Sequence, residues 1–229
     1  MKLSIIVPCY NEQSNITYLA GKLYPMMSKV KYDIELIFVD DGSEDSTYKL
    51  IDSHFGHLKN TKIIRHYINQ GLGRALKSGI QEATGDYIAC LDSDCTYEPG
   101  VILNLLKEAK KGVDIVTTSP YMEGGYVKNV SRYKLALSKT ASWMYRMITN
   151  SKIRTFSSMV RVYRKGIIKN IGFISNDFIA PTEIMVIAIR KKHNIREYPT
   201  TLNKRKYGKS KMNLLKTIKG HLELMGGFR

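Results

Sequence analysis

The feature that most constrains the fold is a regular alternation, along the first half of the chain, of short apolar runs with helix-like patterns. Five runs are rich in β-branched and aromatic residues: LSIIVPCY, IELIFVDD, TKIIRHY, DYIACLD and VDIVTTS. Helical patterns follow the first four, from a predicted N-cap at Ser14 to about Lys29, over 46–56 after Asp45, over RALKSGIQEA, and over 99–110. Continuous apolar strands separated by helices predict an α/β domain with a doubly wound, mostly parallel sheet.

A chain of 229 residues is long enough for one domain of this kind. We expect residues 1–203 to form its body and residues 204–229 to add a basic, amphipathic helical extension to the same domain. Cys9, Cys90 and Cys95 show no CxxC spacing, so they are predicted to be reduced, with the first two buried. We expect neither a signal peptide nor a membrane span, because no uncharged apolar run approaches the ~18 residues that a span needs.

Polar clusters follow four of the predicted strands: PCYNE, VDDGS, NQGLGR and DSD. In doubly wound sheets ligands bind where the carboxyl ends of the strands meet, so we expect the four clusters to line one site. Asp40 is suited to accept a hydrogen bond from a ribose hydroxyl or a base edge. Asp41 and Ser43 fit a binding role and a strand-ending turn equally well. Arg74 and Lys77 begin the third predicted helix, where they either face a diphosphate or form a solvated basic face.

Two carboxylates, Asp92 and Asp94, stand one residue apart at the end of the fourth predicted strand. Alternation along a strand would point both side chains the same way, so they repel each other unless a cation lies between them. Hard carboxylate ligands combined with substrate phosphates are what Mg²⁺ or Mn²⁺ select. We therefore predict that Asp94 and Asp92 bind Mg²⁺ or Mn²⁺; the alternative is that Asp94 caps the helix that follows.

The charge of the chain is unevenly divided between its halves. Residues 1–115 carry 13 Lys+Arg and 15 Asp+Glu, whereas residues 116–229 carry 23 and 5. A strongly positive half attracts an anionic membrane surface, phosphorylated substrates or nucleic acid. Because a nucleic-acid-binding role leaves the acidic strand ends without a purpose, we expect no nucleic-acid partner.

Four segments together resemble the inverting family 2 glycosyltransferases of GT-A fold: IIVPCYNE, VDDGS, NQGLGRALKSGIQEATGDYIACLDSD and RKYGKSKM. The resemblance covers nearly the whole chain, and its nearer branch is the dolichyl- and polyprenyl-phosphate sugar synthases, such as the dolichol-phosphate mannose synthases. It implies a nucleotide-sugar donor. The donor-binding residues it implies are Pro8, Tyr10 and Glu12 around the base, Asp40 near the base or ribose, and Asp92 and Asp94 at the ribose and the metal-bound diphosphate. From its place at the start of the third predicted helix, we add Arg74 to the predicted donor-binding residues.

Two positions depart from the pattern of the polyprenyl-phosphate branch. Thr96 stands where a Gln that helps to hold the metal is common, so metal ligation rests mainly on Asp94. Pro120, in the segment SPYMEGG, stands where an Arg is expected to bind phosphate. Both departures would also fit a non-catalytic nucleotide-sugar-binding module of the same fold.

Two amphipathic stretches in the second half fit an anionic lipid acceptor. Residues 133–149 carry an apolar helical stripe, and the resemblance implies that Lys134 and Ser138 bind the acceptor phosphate. Residues 212–226 carry a similar stripe after a basic run. Basic amphipathic helices of this kind lie in membrane interfaces, whereas packing on the core is the alternative. We expect a protein that works at the cytoplasmic face of an anionic membrane.

The nature of the acceptor decides what catalysis requires. A phosphate monoester is already an anion and needs no strong protein base, whereas a sugar hydroxyl would need one, for which Asp177 and Glu183 are the candidates. We expect a mobile segment carrying Arg205 and Lys211 to close over the diphosphate and the acceptor phosphate.

These residues predict metal-dependent, inverting transfer of a hexose from a nucleotide-sugar donor to a lipid phosphate of the polyprenyl type. Transfer to a glycan or another hydroxyl acceptor is the alternative. The residues predicted to carry catalysis are Asp92, Asp94, Arg205 and Lys211.

Overall fold

Nine strands and eight helices make up a computed structural model that describes residues 1–227, apart from the side chains of Arg132 and Lys134. The strands are β1 (Lys2–Cys9), β2 (Asp33–Asp40), β3 (Thr61–Arg65), β4 (Tyr87–Cys90), β5 (Ile115–Ser119), β6 (Tyr126–Lys128), β7 (Arg161–Arg164), β8 (Ile195–Pro199) and β9 (Thr201–Asn203). The helices are α1 (Gln13–Ser28), α2 (Thr47–Phe55), α3 (Leu72–Glu82), α4 (Val101–Ala109), α5 (Arg132–Thr149), α6 (Lys165–Lys169), α7 (Ala180–Arg190) and α8 (Leu214–Gly226).

Seven strands form the central sheet in the order β3-β2-β1-β4-β7-β5-β8. All neighbours are parallel except β7, which runs antiparallel to both β4 and β5. The doubly wound, mostly parallel sheet predicted from the sequence is therefore confirmed. Strands β6 and β9 form a separate parallel pair.

The core lies on both faces of the sheet, which explains why the strands read as unbroken apolar runs. Leu3, Ile5 and Val7 of β1 pack with α1, α2 and α4 on one face, whereas Ile6 packs with α3 and α7 on the other. Each such side chain is fully buried, and burying one Leu, Ile or Val stabilises the fold by about 1.5–3 kcal/mol. The two apolar faces fix the register that brings the ends of β1 and β2 together at Cys9 and Asp40.

The predicted helix near 46–56 is confirmed as α2, which begins at Thr47 after Asp45, and the backbone N–H of Thr47 donates to Asp45 Oδ1 at 2.9 Å. Two other local expectations differ from the structure. Helix α1 begins at Gln13, so Glu12 is its N-cap and Ser14 already lies within the helix. Strand β4 ends at Cys90, so the two carboxylates of the DSD segment lie in the turn beyond the strand, and strand alternation does not orient them.

The second half adds a layer outside α7. Helices α5 and α8 pack there around Tyr145, Phe156 and Met185. Of the seven basic residues between Lys204 and Lys219, five precede α8 and two lie in it. Across residues 1–227, no helix is both long and apolar enough to cross a membrane.

All three cysteines are free and buried, as the sequence predicted for Cys9 and Cys90. Burial raises the pKa of Cys90 to about 12, so this thiol stays protonated near neutral pH.

Candidate active site

A cavity of about 220 Å³ opens at the carboxyl ends of β1, β2 and β4, and we call it the polar cavity because charged side chains line it. All four clusters expected at this edge contribute to its wall. The lining residues from these clusters are Pro8, Cys9, Tyr10 and Glu12, then Asp41, then Asn69 and Gly71, and finally Asp92, Ser93 and Asp94. Arg205, Ser210 and Lys211 of the late basic segment close the other side. The structure thus brings together residues from Pro8 to Lys211, nearly the whole length of the chain.

Asp41 organises the loop that follows β3. Its Oδ1 accepts from the backbone N–H of Gln70 at 3.0 Å, its Oδ2 accepts from that of Gly71 at 2.7 Å, and His66 Nδ1 lies 2.6 Å from Oδ1. Gly71 has a φ of +94°, and a Cβ there would lie 2.3 Å from the carbonyl oxygen of Asn176. These hydrogen bonds go to the loop after β3 and not to the strand-ending turn that the sequence suggested, and Asp41 also lines the cavity.

Asp92 and Asp94 face the same cavity from the turn after β4. Burial, and next the Asp94 carboxylate, raise the pKa of Asp92 to about 8. Asp94 Oδ1 accepts from the backbone N–H of Thr96 at 3.0 Å, while its Oδ2 lies 3.7 Å from Arg205 Nε. Helix α4 begins only at Val101, so Asp94 is not its cap.

Arg205 lies between two acidic residues of the cavity. Its guanidinium pairs with Glu12 as well as with Asp94, and its Nε and Nη1 donate to the carbonyl oxygens of Tyr207 and Lys209 at 2.9 and 3.2 Å. The same side chain therefore offsets part of the negative charge of the cavity and shapes its own loop. Two arginine-carboxylate contacts in a largely buried place are stronger than exposed ion pairs.

Asn15 of α1 contacts both Glu12 and the segment that carries Arg205, and it was not predicted from the sequence. The side chain is fully buried, and its Nδ2 donates to Glu12 Oε2 at 2.5 Å and to the carbonyl oxygen of Tyr207 at 3.4 Å. Tyr207 also meets Tyr18 edge-on, with ring centroids 5.6 Å apart. These contacts hold the segment that carries Arg205 against α1. Nothing in the local sequence separates Asn15 from an ordinary helical asparagine.

Several predicted residues lie outside the cavity wall. Asp40 is fully buried behind it, with Oδ1 accepting from the backbone N–H of Ser43 at 3.3 Å and Oδ2 lying 3.5 Å from Arg65 Nε. Burial raises the pKa of Asp40. Arg74 is exposed and is not among the lining residues. Lys77 is engaged elsewhere, because its Nζ donates to the carbonyl oxygen of Ile174 at 2.7 Å.

A second, larger cavity of about 530 Å³ adjoins the first and is mainly apolar. Its walls come from α5, α8 and the segment before β7. Residues that represent these walls are Leu137, Ala141, Met144, Phe156, Ile218 and Met225. The two cavities share Leu72, Asp92, Met159 and Phe178. An apolar chamber therefore meets a polar one at Asp92.

Ser138 lies in the wall of this apolar cavity, where its Oγ accepts from Tyr121 Oη at 3.1 Å. The side chain of Lys134, predicted to bind the same phosphate, lies outside the described part of the chain. Glu183 is tied up, because its two carboxylate oxygens accept from the backbone N–H groups of Ile174 and Ser175 at 2.9 and 2.8 Å. It orients the loop before α7.

A buried arginine behind the apolar cavity was also missed. Arg161 of β7 is fully buried, and its Nε donates to Thr117 Oγ1 at 3.1 Å, while its other nitrogens donate to the carbonyl oxygens of Phe156 and Pro181. It thereby ties the segment before β7 to the start of α7, both of which line the cavity. A basic residue within the short run MVRVY gives no local signal for such a place.

Residues 4–172 match the model of the family described as Glycosyl transferase family 2. The chain belongs to this family. Dolichol-phosphate mannosyltransferase of Pyrococcus furiosus is 32% identical to it over 215 residues, which cover 93% of this chain and 59% of that protein. Undecaprenyl-phosphate 4-deoxy-4-formamido-L-arabinose transferase of Proteus mirabilis is 27% identical over 219 residues, which cover 95% and 64%. The chain thus spans less than two thirds of the length of these two relatives.

A third relative is covered more fully. Polyprenol monophosphomannose synthase of Mycolicibacterium smegmatis is 27% identical over 216 residues, which cover 91% of this chain and 80% of that protein. Among solved structures, glucosyl-3-phosphoglycerate synthase from Mycobacterium tuberculosis in complex with Mn²⁺, UDP and glucosyl-3-phosphoglycerate aligns with a TM-score of 0.71 at 14% identity, over 99% of this chain and 78% of that one. Its complex with Mg²⁺ and UDP gives 0.73 at 16% identity, over 99% and 79%. This likeness confirms the GT-A fold.

The residues of this family 2 glycosyltransferase suit a divalent cation. Two carboxylates, Asp92 and Asp94, line one cavity, and burial, followed by the nearby Asp94 carboxylate, raises the pKa of Asp92, which a bound cation would lower again. Within the described residues, no three His, Cys, Asp or Glu side chains converge on one point. The donor set would therefore be two carboxylates completed by substrate phosphate oxygens, which is the arrangement typical of Mg²⁺.

The two departures from the polyprenyl-phosphate branch lie in the wall of the apolar cavity. Thr96 and Pro120 both line the apolar cavity. The carbonyl oxygen of Thr96 accepts from the backbone N–H of Asn203 at 2.9 Å, so this position joins the DSD turn to β9. In this family 2 glycosyltransferase, both positions help to shape the cavity wall.

Proposed function

We propose that the protein transfers a hexose, with inversion, from a nucleotide-sugar donor to the phosphate of a polyprenyl-type lipid at a membrane face. The observation that carries this proposal is the junction of the two cavities at Asp92. A polar chamber of about 220 Å³ suits part of a nucleotide sugar, and an apolar chamber of about 530 Å³ suits the first units of a lipid chain. The names of the three curated relatives, each a sugar transferase acting on a polyprenol or its phosphate, support this choice of acceptor.

The proposed reaction does not require a strong general base from the protein. An acceptor phosphate attacks the anomeric carbon as an anion, the bond from that carbon to the diphosphate breaks, and the nucleoside diphosphate departs with the electron pair. Glu183 is a poor candidate for a base, because both of its oxygens already accept from backbone N–H groups. Alignment of the two phosphates and stabilisation of the leaving group are the remaining requirements.

Named side chains meet these requirements. Asp92 and Asp94 would hold Mg²⁺ or Mn²⁺, which when bound neutralises the charge that develops on the leaving diphosphate. Arg205 and Lys211, on the other wall of the cavity, add positive charge at the same place. Ser138 and Lys134 are proposed to meet the acceptor phosphate, and Pro8, Tyr10 and Glu12 to meet the nucleoside.

Assay of donor turnover with and without a short polyprenyl phosphate tests the proposal. With Mn²⁺ or Mg²⁺ and a panel of nucleotide sugars, we expect release of nucleoside diphosphate to rise when the lipid phosphate is added, and mass spectrometry to find the glycosylated lipid. Release that rises only with glycans or other hydroxyl compounds would move the protein to the alternative acceptor class. Donor binding without turnover under all conditions would identify a non-catalytic module.

Membrane location is proposed from the outer surfaces of α5 and α8. Residues 133–149 and 212–226 split their apolar side chains between the cavity and solvent, and Trp143, Met147 and Leu215 are on the exposed side. Lysines border these side chains, which suits helices lying at an anionic cytoplasmic membrane face.

Vesicle binding is expected to depend on Leu215. This side chain is 80% exposed, and Leu215→Asn should weaken binding to anionic vesicles by roughly tenfold or more, since burying a Leu contributes about 1.5–3 kcal/mol. Co-sedimentation measures the effect. Ile68→Asn is the matched control, because Ile68 is 71% exposed on the loop after β3.

Binding of the wild-type protein to anionic vesicles should also weaken as the salt concentration rises, since the Debye length shrinks to about 3 Å at 1 M. Equal pelleting with neutral and anionic vesicles would contradict the proposal.

A further inference from the structure

A third pocket, of about 300 Å³, opens on the outer side of α5. The residues that line it are Tyr121, Lys139, Ser142, Trp143, Arg146 and Arg154. Tyr121 and Ser142 also line the apolar cavity, so the pocket lies against the outside of that cavity's wall. The three cationic side chains of this outer pocket line neither the polar cavity nor the apolar cavity.

The charge of this outer pocket is one-sided. Lys139, Arg146 and Arg154 supply three cations, and none of the described residues lining the pocket is acidic. Lys139 Nζ lies 5.6 Å from the centre of the Tyr121 ring, and Arg154 contacts Glu197 through its backbone N–H. In the described part of the chain, no carboxylate forms an ion pair with any of the three cationic groups. Three cations around one concavity repel each other unless an anion joins them.

The helix geometry fixes this arrangement. Lys139, Trp143 and Arg146 follow one another at spacings of four and three residues, which places them on one side of α5. Arg154 reaches the same place from the loop after the helix. Two guanidinium groups facing one concavity are suited to bidentate hydrogen bonding with phosphate oxygens.

The exposed apolar side chains beside the pocket favour a lipid over a free anion as its ligand. Trp143 is 60% exposed at the pocket, and Met147, one helical turn further on, is 67% exposed. A soluble anion would leave both side chains in water. A phospholipid would cover them with its glycerol and upper acyl chains, at the depth where Trp side chains are enriched.

We propose that this pocket binds the phosphate head group of an anionic membrane phospholipid, with Arg146, Arg154 and Lys139 contacting the phosphate and Trp143 contacting the glycerol and acyl region. The inference rests on the membrane location proposed above and adds a defined lipid site to it. A phospholipid held there would position the mouth of the apolar cavity at the membrane surface.

The fluorescence of Trp143 reports on this pocket directly, because Trp143 is the only tryptophan of the sequence. The test titrates the full chain, without donor or acceptor, with short-chain phosphatidic acid below its micelle concentration. We expect a saturable blue shift of the emission. Short-chain phosphatidylcholine at the same concentrations should give no saturable shift, and glycerol 3-phosphate should bind at least about tenfold more weakly because it buries no acyl surface.

A double variant, Arg146→Gln with Arg154→Gln, should weaken phosphatidic acid binding by about 25-fold, at about fivefold for each cation removed. Arg164→Gln with Arg196→Gln is the matched control. In the wild type, Arg164 and Arg196 pair with Asp114 and Glu108, near the amino ends of the parallel strands. The control variant should therefore bind phosphatidic acid as tightly as the wild type does.

Three results would overturn the proposal: no change of emission with phosphatidic acid, equal binding of glycerol 3-phosphate, or equal binding by the double variant and the wild type. Tighter binding of a short polyprenyl phosphate at the same pocket would assign it to the acceptor instead. The titration measures lipid binding and involves no sugar transfer. Its result can therefore be interpreted even if the proposed transferase activity is not found.

Discussion

Replacing Asp94 with Asn is expected to lower metal-dependent sugar transfer by about 100-fold or more, the scale of losing one charge contact to the transition state. Asn has nearly the same shape, and its amide oxygen can still accept from the backbone N–H of Thr96, which now lies 3.0 Å from Asp94 Oδ1. The turn after β4 should therefore keep its conformation. What is lost is the negative charge that a divalent cation requires of its ligand. Release of nucleoside diphosphate, measured over a range of Mn²⁺ concentrations, gives the effect.

A matched control for this substitution is Asp33→Asn at the start of β2. Asp33 Oδ1 accepts from Asn60 Nδ2 at 3.0 Å, so it too is a carboxylate with a local hydrogen bond, but it lies at the opposite end of the strands. We expect wild-type turnover and an unchanged melting temperature for that variant. Undiminished transfer by Asp94→Asn, in a protein that still needs Mn²⁺, would remove Asp94 from the metal site.

The sheet and the position of the site follow from local sequence. Buried parallel strands need apolar side chains on both faces, so β1, β2 and β4 appear as continuous apolar runs, and whatever polar residues end them must meet at one edge. Strand β7 escaped this reasoning. Its sequence, RVYR, begins with Arg161, which is buried only because carbonyl oxygens from two other segments accept its N–H groups. Of these acceptors, Pro181 lies 20 residues further along the chain, at the start of α7, and local sequence does not connect it to β7.

The roles of individual polar residues are less predictable than their positions. Asp40 and Asp41 are adjacent and chemically identical, yet one is sealed behind the cavity and the other holds the loop after β3. Lys77 is near the start of a helix beside a candidate phosphate site, but its Nζ donates to the loop at Ile174. In each case the role of the residue depends on the direction of its side chain relative to a segment that is distant in sequence. Periodicity and motif spacing carry no information on that direction.

Arg205 shows how the late basic segment and the acidic strand ends are coupled. Its guanidinium is a positive charge between Glu12 and Asp94. A cation bound to Asp94 would have to share that carboxylate with Arg205, whose Nε is 3.7 Å from Oδ2. With a nucleotide sugar present, the diphosphate offers the guanidinium a second anion at the same wall of the cavity. The residue is thus placed to oppose the cation before the donor binds and to assist the leaving group afterwards.

Arg205→Ala should therefore have two opposite effects. Affinity for Mn²⁺ in the absence of donor should increase, because a positive charge close to Asp94 is removed, whereas turnover should fall by roughly 100-fold because the leaving diphosphate loses a cationic partner. Calorimetric titration with Mn²⁺ measures the first effect, and release of nucleoside diphosphate measures the second.

Arg196→Ala serves as the control for this pair of measurements. It removes an arginine that pairs with Glu108 at 2.6 Å, on a strand away from the cavity, and should change neither quantity. A purely structural role for Arg205 would loosen the segment that it holds and would give weaker Mn²⁺ binding together with lower turnover. The sign of the change in Mn²⁺ affinity therefore separates an arginine that competes with the cation from one that only supports the loop.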